Sequence, residues 1–334
     1  MKRFRAAFLV SAVLGLVAAA SPAETGTRLV RQPRAVTRPT GKAQLAQRVG
    51  AATAAGYSVQ LNIVTRVVGA SFYRTAVDIT NNTSSDGVSA NFQYCYTSGG
   101  TYNGCTNAAA INLNHFDSFH TDDIVDYLGQ QSLIPPSAAD VSFGTFIVTF
   151  DGLPSNNGWE GTLTGRTYNA ADNANPDAGT VAIAYPGSLF FESSTASLVA
   201  IIRDTTVSGS TDAGALRTNL GVTNTALYNT TAGATVNFTI SFYDVTEGSA
   251  TRETLVAQLA APHPLQAGEV IQINNVFGAA HIPANVTSCI AFIDITSTQG
   301  TNPDTIEAYV NVLDAGTNDG AFFEFKCETG CLNY

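Results

Sequence analysis

The sequence is poor in methionine, tryptophan, histidine and positive charge. Of 334 residues one is Met, one is Trp and four are His, and 16 basic residues face 26 acidic ones, for a net charge of −10. The four histidines (His115, His120, His263, His281) leave few bases that titrate near neutrality. The chain contains no GxSxG elbow, no HExxH pair, no GxGxxG or phosphate-loop pattern and no CxxCH segment. These absences remove the signatures of α/β-hydrolases, zinc peptidases, nucleotide-binding enzymes and c-type haem proteins. A glycosidase needs only two carboxylates across a cleft, and nothing here marks such a pair. A non-catalytic role is the expectation.

Long apolar runs are scarce too. The run Ala6–Ala20 is shorter than the roughly 20 residues of a membrane-spanning helix. It follows Lys2, Arg3 and Arg5 and precedes Ser21-Pro22-Ala23, the layout of a signal peptide over residues 1–23. A secreted or cell-surface protein without transmembrane insertion is expected. Residues 24–56, with six basic side chains between Arg28 and Arg48 and no acidic one there, read as a flexible basic tail. Nine of the 16 basic residues precede residue 49, which leaves seven against 25 acidic ones in the body. Such a body repels nucleic acid and anionic lipid.

Five cysteines are present. In an oxidising compartment close neighbours pair. Cys95 and Cys105 flank the turn-rich "YTSGGTYNG", and Cys327 and Cys331 enclose "ETG". Cys289 is left over, and its pairing with a C-terminal cysteine is the alternative. No spacing fits a zinc site.

What the body does have is strand-like texture. Segments such as "YSVQLNIVTRVV", "GTFIVTF", "ATVNFTISFYDV" and "CIAFIDIT" are rich in Val, Ile, Thr and aromatic residues and are punctuated by Gly, Asn, Asp and Ser. An all-β fold is expected. "FYRTAVDITN" at 72–81 also returns as "ALRTNLGVTN" at 215–224. "GVSANF" at 87–92 answers "GATVNF" at 233–238, and "DDIVDYL" at 122–128 lines up with "GEVIQIN" at 268–274. Ile134-Pro135 answers Ile282-Pro283, Tyr168 falls against Tyr309, and "GSLFFE" at 187–192 answers "GAFFE" at 320–324. The order predicts two homologous β-sandwich domains, 57–195 and 196–334.

"FYRTAVDITN", "TGRTYN" and "ALRTNLGVTN" resemble a tandem repeat of large secreted and surface bacterial proteins. The resemblance implies immunoglobulin-like modules with no assigned chemistry. The second copy has Glu307-Ala308-Tyr309 where the first has Arg166-Thr167-Tyr168.

Candidate sites follow from residue type. Arg74 and Arg217 repeat inside strand-like runs and could grip carboxylates, although a shared scaffold need explains a duplicated arginine more simply. "NHFDSFHTDDIVD" holds His115, His120 and Asp122, a metal-ligand set that a metal-dependent hydrolase would use, against the plainer reading of a solvated turn. Asp172, Asn175 and Asp177 lie in a glycine-ended loop that could take calcium or simply turn. Tyr96 and Tyr102, beside the expected Cys95–Cys105 staple, are the candidate sugar-stacking rings. The leading reading is an exported structural or adhesive protein whose partner is cell envelope, polysaccharide or a surface protein. The alternative is a carbohydrate-binding protein using loop aromatics, with calcium as its one candidate cofactor.

Overall fold

The computed structural model describes residues 57–331, apart from 69–71, 107–108, 155–159, 171–180, 190–193, 207–213, 226–233, 300–305 and 315–319. The expected signal peptide, the basic tail, Trp159 and the Asp172–Asp177 loop lie outside the described residues, as do the side chains of Cys327 and Cys331.

The first set of elements is β1 (Tyr57–Val68), β2 (Phe72–Asn81), β3 (Val88–Ser98), β4 (Thr101–Cys105), β5 (Ala109–Leu113), β6 (Ser118–Thr121), α1 (Ile124–Gln130), α2 (Pro136–Asp140), β7 (Ser142–Asp151), β8 (Gly161–Ala170), β9 (Val181–Pro186) and β10 (Ser188–Leu189). The second is β11 (Ser194–Arg203), β12 (Leu216–Asn224), β13 (Thr235–Asp244), β14 (Leu255–Ala260), β15 (Leu265–Gln266), β16 (Val270–Ile273), α3 (Val276–Ala279), β17 (Ser288–Gln299), β18 (Ile306–Asp314), β19 (Gly320–Glu324) and β20 (Lys326–Cys331). The fold is all-β and antiparallel. Because β11 begins at Ser194, the boundary expected between 195 and 196 falls inside that strand.

One sheet runs β4-β3-β7-β1-β2-β8-β9, with β5 on β3, β6 on β2 and β10 on β1. The other runs β14-β13-β17-β11-β18-β12-β16, with β15 on β13, β19 on β18 and β20 on β11. Except at the junction, every pairing in the first sheet recurs ten strand numbers later. The junction is β1–β2 in one and β11–β18 in the other. At that junction β1 and β2 share only Arg66↔Arg74, Val67↔Tyr73 and Val68↔Phe72, whereas β2 and β8 stay paired from Phe72 to Asn81. The first sheet folds over there, so Leu61 and Val64 of β1 share a core with Val77 and Ile79 of β2 and Leu163 of β8. Helix α1 closes this core with Ile124, Val125 and Leu128. The second core is built on Leu198, Leu220, Val222, Phe238, Ile240 and Ile293, with Val276 and Phe277 of α3.

The later echoes do not keep their register. "DDIVDYL" holds a helix capped by Asp123, whereas "GEVIQIN" holds strand β16, which occupies the place of β6. A short apolar pattern fits either period, and the capping aspartate decides it. Arg74 faces Tyr168 across β2–β8, but Arg217 faces Leu313, and Tyr309 lies four residues away opposite Gly221. "GAFFE" is β19 on β18, while the strand of "GSLFFE" is β10 on β1. Ile134-Pro135 and Ile282-Pro283 do match. Pro135 O accepts from Ala138 N and Pro283 O from Val286 N, both at 2.9 Å.

Candidate ligand cleft between the sheets

Both faces of β1 are buried. Val59 and Leu61 point into the first core, and Gln60 and Asn62 point the other way. Gln60 Nε2 donates to Asn62 Oδ1 at 2.6 Å and to Glu307 of β18, so this face meets the second sheet. A register shift between Leu61 and Val64 marks a bulge. The extra residue resets the alternation, and beyond it Ile63, Thr65 and Val67 continue the same face.

Opposite them stands the outer face of β18 and β12. Tyr309 leaves its own core to pack with the first one and lies flat over Gly221, where an added Cβ would fall 2.0 Å from its Cζ. Its hydroxyl donates to Gln272 Oε1 at 3.1 Å. Beyond Tyr309 the sheets part, leaving a cavity of about 960 Å³.

The first sheet contributes Tyr73, Tyr102, Phe143 and the threonines 65, 97, 101 and 167 to this cavity. The second contributes Arg217, Asn219, His263, Gln266, Glu269, Gln272, Asn274 and Asn311. Asn219 is committed, since its Oδ1 accepts from Asn275 N at 2.9 Å. Glu269 is buried and accepts from Gln266 N and His263 Nε2, each at 2.8 Å. Asn311 is 5% exposed, and its Oδ1 accepts no hydrogen bond. Buried amide oxygens are rarely left so.

Tyr102 sits at one wall of the cavity. Its hydroxyl donates to Ala267 O at 2.6 Å, and Cys105, disulfide-bonded to Cys95, holds the strand beneath it. Burial first, and then the Glu269 charge, raises its pKa above the usual phenol value. Tyr96 is a correction: it is 8% exposed and stacked on Tyr94 at 5.4 Å, inside the first core. Alternation along β3 turns Tyr94 and Tyr96 inward together.

The duplicated arginines part company. Arg217 lines the cavity, while Arg74 stacks on Tyr168 with its guanidinium carbon 4.7 Å from the ring centroid. The histidine cluster is drawn apart. His120 is held between Asp78 (Nδ1, 2.7 Å) and Asp122 (Nε2, 3.2 Å), whose hydrogen bonds raise its pKa. His115 instead packs tilted against Phe116, ring centroids 4.4 Å apart. Among the described residues no group of three or more His, Cys, Asp or Glu could hold a metal ion. Cys289 is a free thiol in the second core, its pKa pushed up to about 12 by burial and the Asp244 charge. No helix among the described residues is long and apolar enough to cross a membrane.

Sequence reasoning missed the cavity because its walls come from opposite ends of the chain. The one local hint is "APHPLQAGEVIQ", which carries His263 and Glu269 of the cavity wall. No family model matches the sequence, and no curated protein matches it. Among solved structures, a lectin from Pleurotus ostreatus in complex with GalNAc is similar at 9% identity, covering 82% of each chain, with a TM-score of 0.14, too low to support any argument.

Proposed function

We propose that this is an exported, non-catalytic adhesive protein that binds carbohydrate in the cleft between its two sheets. The observation that carries the reading is Asn311, a buried amide whose oxygen accepts nothing in the cavity wall. A sugar hydroxyl is the donor it lacks. Arg217, His263, Gln272 and Asn274 add planar polar groups suited to adjacent hydroxyls, and Tyr73, Tyr102 and Phe143 offer ring surface. The cavity is of the size that holds small-molecule ligands, up to about 1,000 Å³. Export is supported by the leader-like N-terminus and by the Cys95–Cys105 disulfide.

The test is co-sedimentation with insoluble polysaccharides and titration with their soluble oligosaccharides, with and without chelator. Saturable, polymer-selective binding is expected, weakened about tenfold or more by Asn311→Leu, in line with the cost of one lost buried hydrogen bond. Binding unmoved by Asn311→Leu and by Arg217→Ala would place the ligand elsewhere. Pelleting with none of the polymers would end the carbohydrate reading.

A further inference from the structure

The same outer face occurs twice in this molecule, with opposite fates. In the first sheet the row Thr65–Phe143–Thr97–Tyr102 crosses β1, β7, β3 and β4, and it forms one wall of the cleft that the second sheet covers. The matching row of the second sheet is Ile201–Ile290–Tyr243–Leu255, across β11, β17, β13 and β14. This row is open to solvent, with Ile201 68% and Leu255 47% exposed. Val199 and Phe292 pair on the same face, and Phe292 meets Tyr243 edge-on at 5.6 Å. A face kept for water carries polar residues, yet here the covered row has two threonines, whereas the open one has three aliphatic side chains beside Tyr243.

Charge flanks the patch at opposite ends. Arg203 lies beyond Ile201, and Asp294 pairs with Ser197 at the far end. Both are exposed, and alternation puts both on the patch's own side. From Ser197 to Arg203 is about 20 Å of strand. A two-fold axis across the strands lays Arg203 of one copy over Asp294 of another and apolar row on apolar row.

We infer that this face of β11, β17, β13 and β14 is a self-complementary interface that pairs two copies of the chain into a closed dimer. It lies apart from the carbohydrate cleft, so the two readings stand or fall separately.

Sedimentation equilibrium of the full chain from low to high micromolar concentration tests it. A monomer–dimer equilibrium is expected, with Ile201→Glu weakening association roughly 30-fold or more, as for a central interface residue. At concentrations below the dissociation constant, where both proteins are monomers, the melting temperature should not move, because Ile201 faces solvent in the single chain. Arg203→Glu alone should weaken the dimer, and Arg203→Glu with Asp294→Arg should restore it. Four outcomes overturn the inference: a monomer throughout, a dimer indifferent to Ile201→Glu, growth past the dimer as in head-to-tail assembly, or dimers formed only after removal of residues 24–56, which would make the tail the occupant.

Discussion

Hairpins β3–β4 and β13–β14 hold the same place in the two sheets and are closed by different chemistry. The first is stapled by Cys95–Cys105, directly cross-paired residues. The second has no cysteine in its turn and is tied around Asp244. Asp244 Oδ1 accepts from Thr246 N at 2.7 Å, and Oδ2 accepts from Thr251 Oγ1 at 2.7 Å and from Ser249 Oγ. These hydrogen bonds hold its pKa down to about 2 despite the burial that opposes them. One scaffold position can thus be closed covalently or by a satisfied buried carboxylate, and the difference appears in what breaks it. Reductant should loosen the first hairpin and acid the second.

The largest effect is expected where the sheets meet. Gly221→Val would drive a side chain into the Tyr309 ring, and a loss of about 3 kcal/mol or more should appear in denaturant melts. The echo puts Asp78 at the equivalent place, and it faces Thr164 across β2–β8. Asp78→Val should cost less than about 1 kcal/mol, because Asp78 is exposed. Equal losses would dissolve the distinction between the two sheets.

Replacing Cys95 and Cys105 together by Ser should cost about 2–3 kcal/mol, the loop-closure value for a short loop. Asp244→Asn should cost about 2 kcal/mol at neutral pH, the worth of its lowered pKa. The sign gives that experiment a second readout. A pKa lower in the folded than in the unfolded chain stabilises above the unfolded value of 3.8, and the gain is lost as pH falls towards 2. Wild type should therefore weaken through this window more steeply than Asp244→Asn, and parallel acid titrations would refute the account of the turn.

Asn311→Leu should change stability by under about 1 kcal/mol or raise it, since the replaced oxygen has no partner to lose. A large loss would mean that Asn311 supports the fold. The smallest effect concerns His120. Its pKa should lie above 6.5 by NMR titration and fall in Asp78→Asn. Its contribution to stability is present below pH 6.5 and lost as pH rises through the raised value. Solvent exposure screens that contribution.

Legibility followed locality. The Arg74 and Arg217 strands, the β3 and β13 strands and the Ile-Pro turns are recognisable as pairs because each is a contiguous run with its own pattern. The matches at Tyr168/Tyr309 and at the helix failed because pairing register is set by partners that the run itself does not contain. Tyr96 is buried for a related reason: proximity to a cysteine says nothing about which side of a strand a ring occupies, and alternation along β3 turns it inward. Nothing local marks Arg66, although its guanidinium bonds Asp123 at 2.8 Å and Ala139 O at 2.6 Å and so fastens both helices to β1.

By itself the sequence determined the all-β class, the recurrence of one strand pattern and the nearest cysteine pairing, because strand alternation, turn residues and short loop closure are local. Tertiary structure alone decided which of two equivalent outer faces is covered, that Tyr309 crosses into the neighbouring core, and that Asn311 and Tyr102 line one cavity. Those outcomes depend on how two sheets stack, and that is fixed by contacts between residues more than a hundred positions apart.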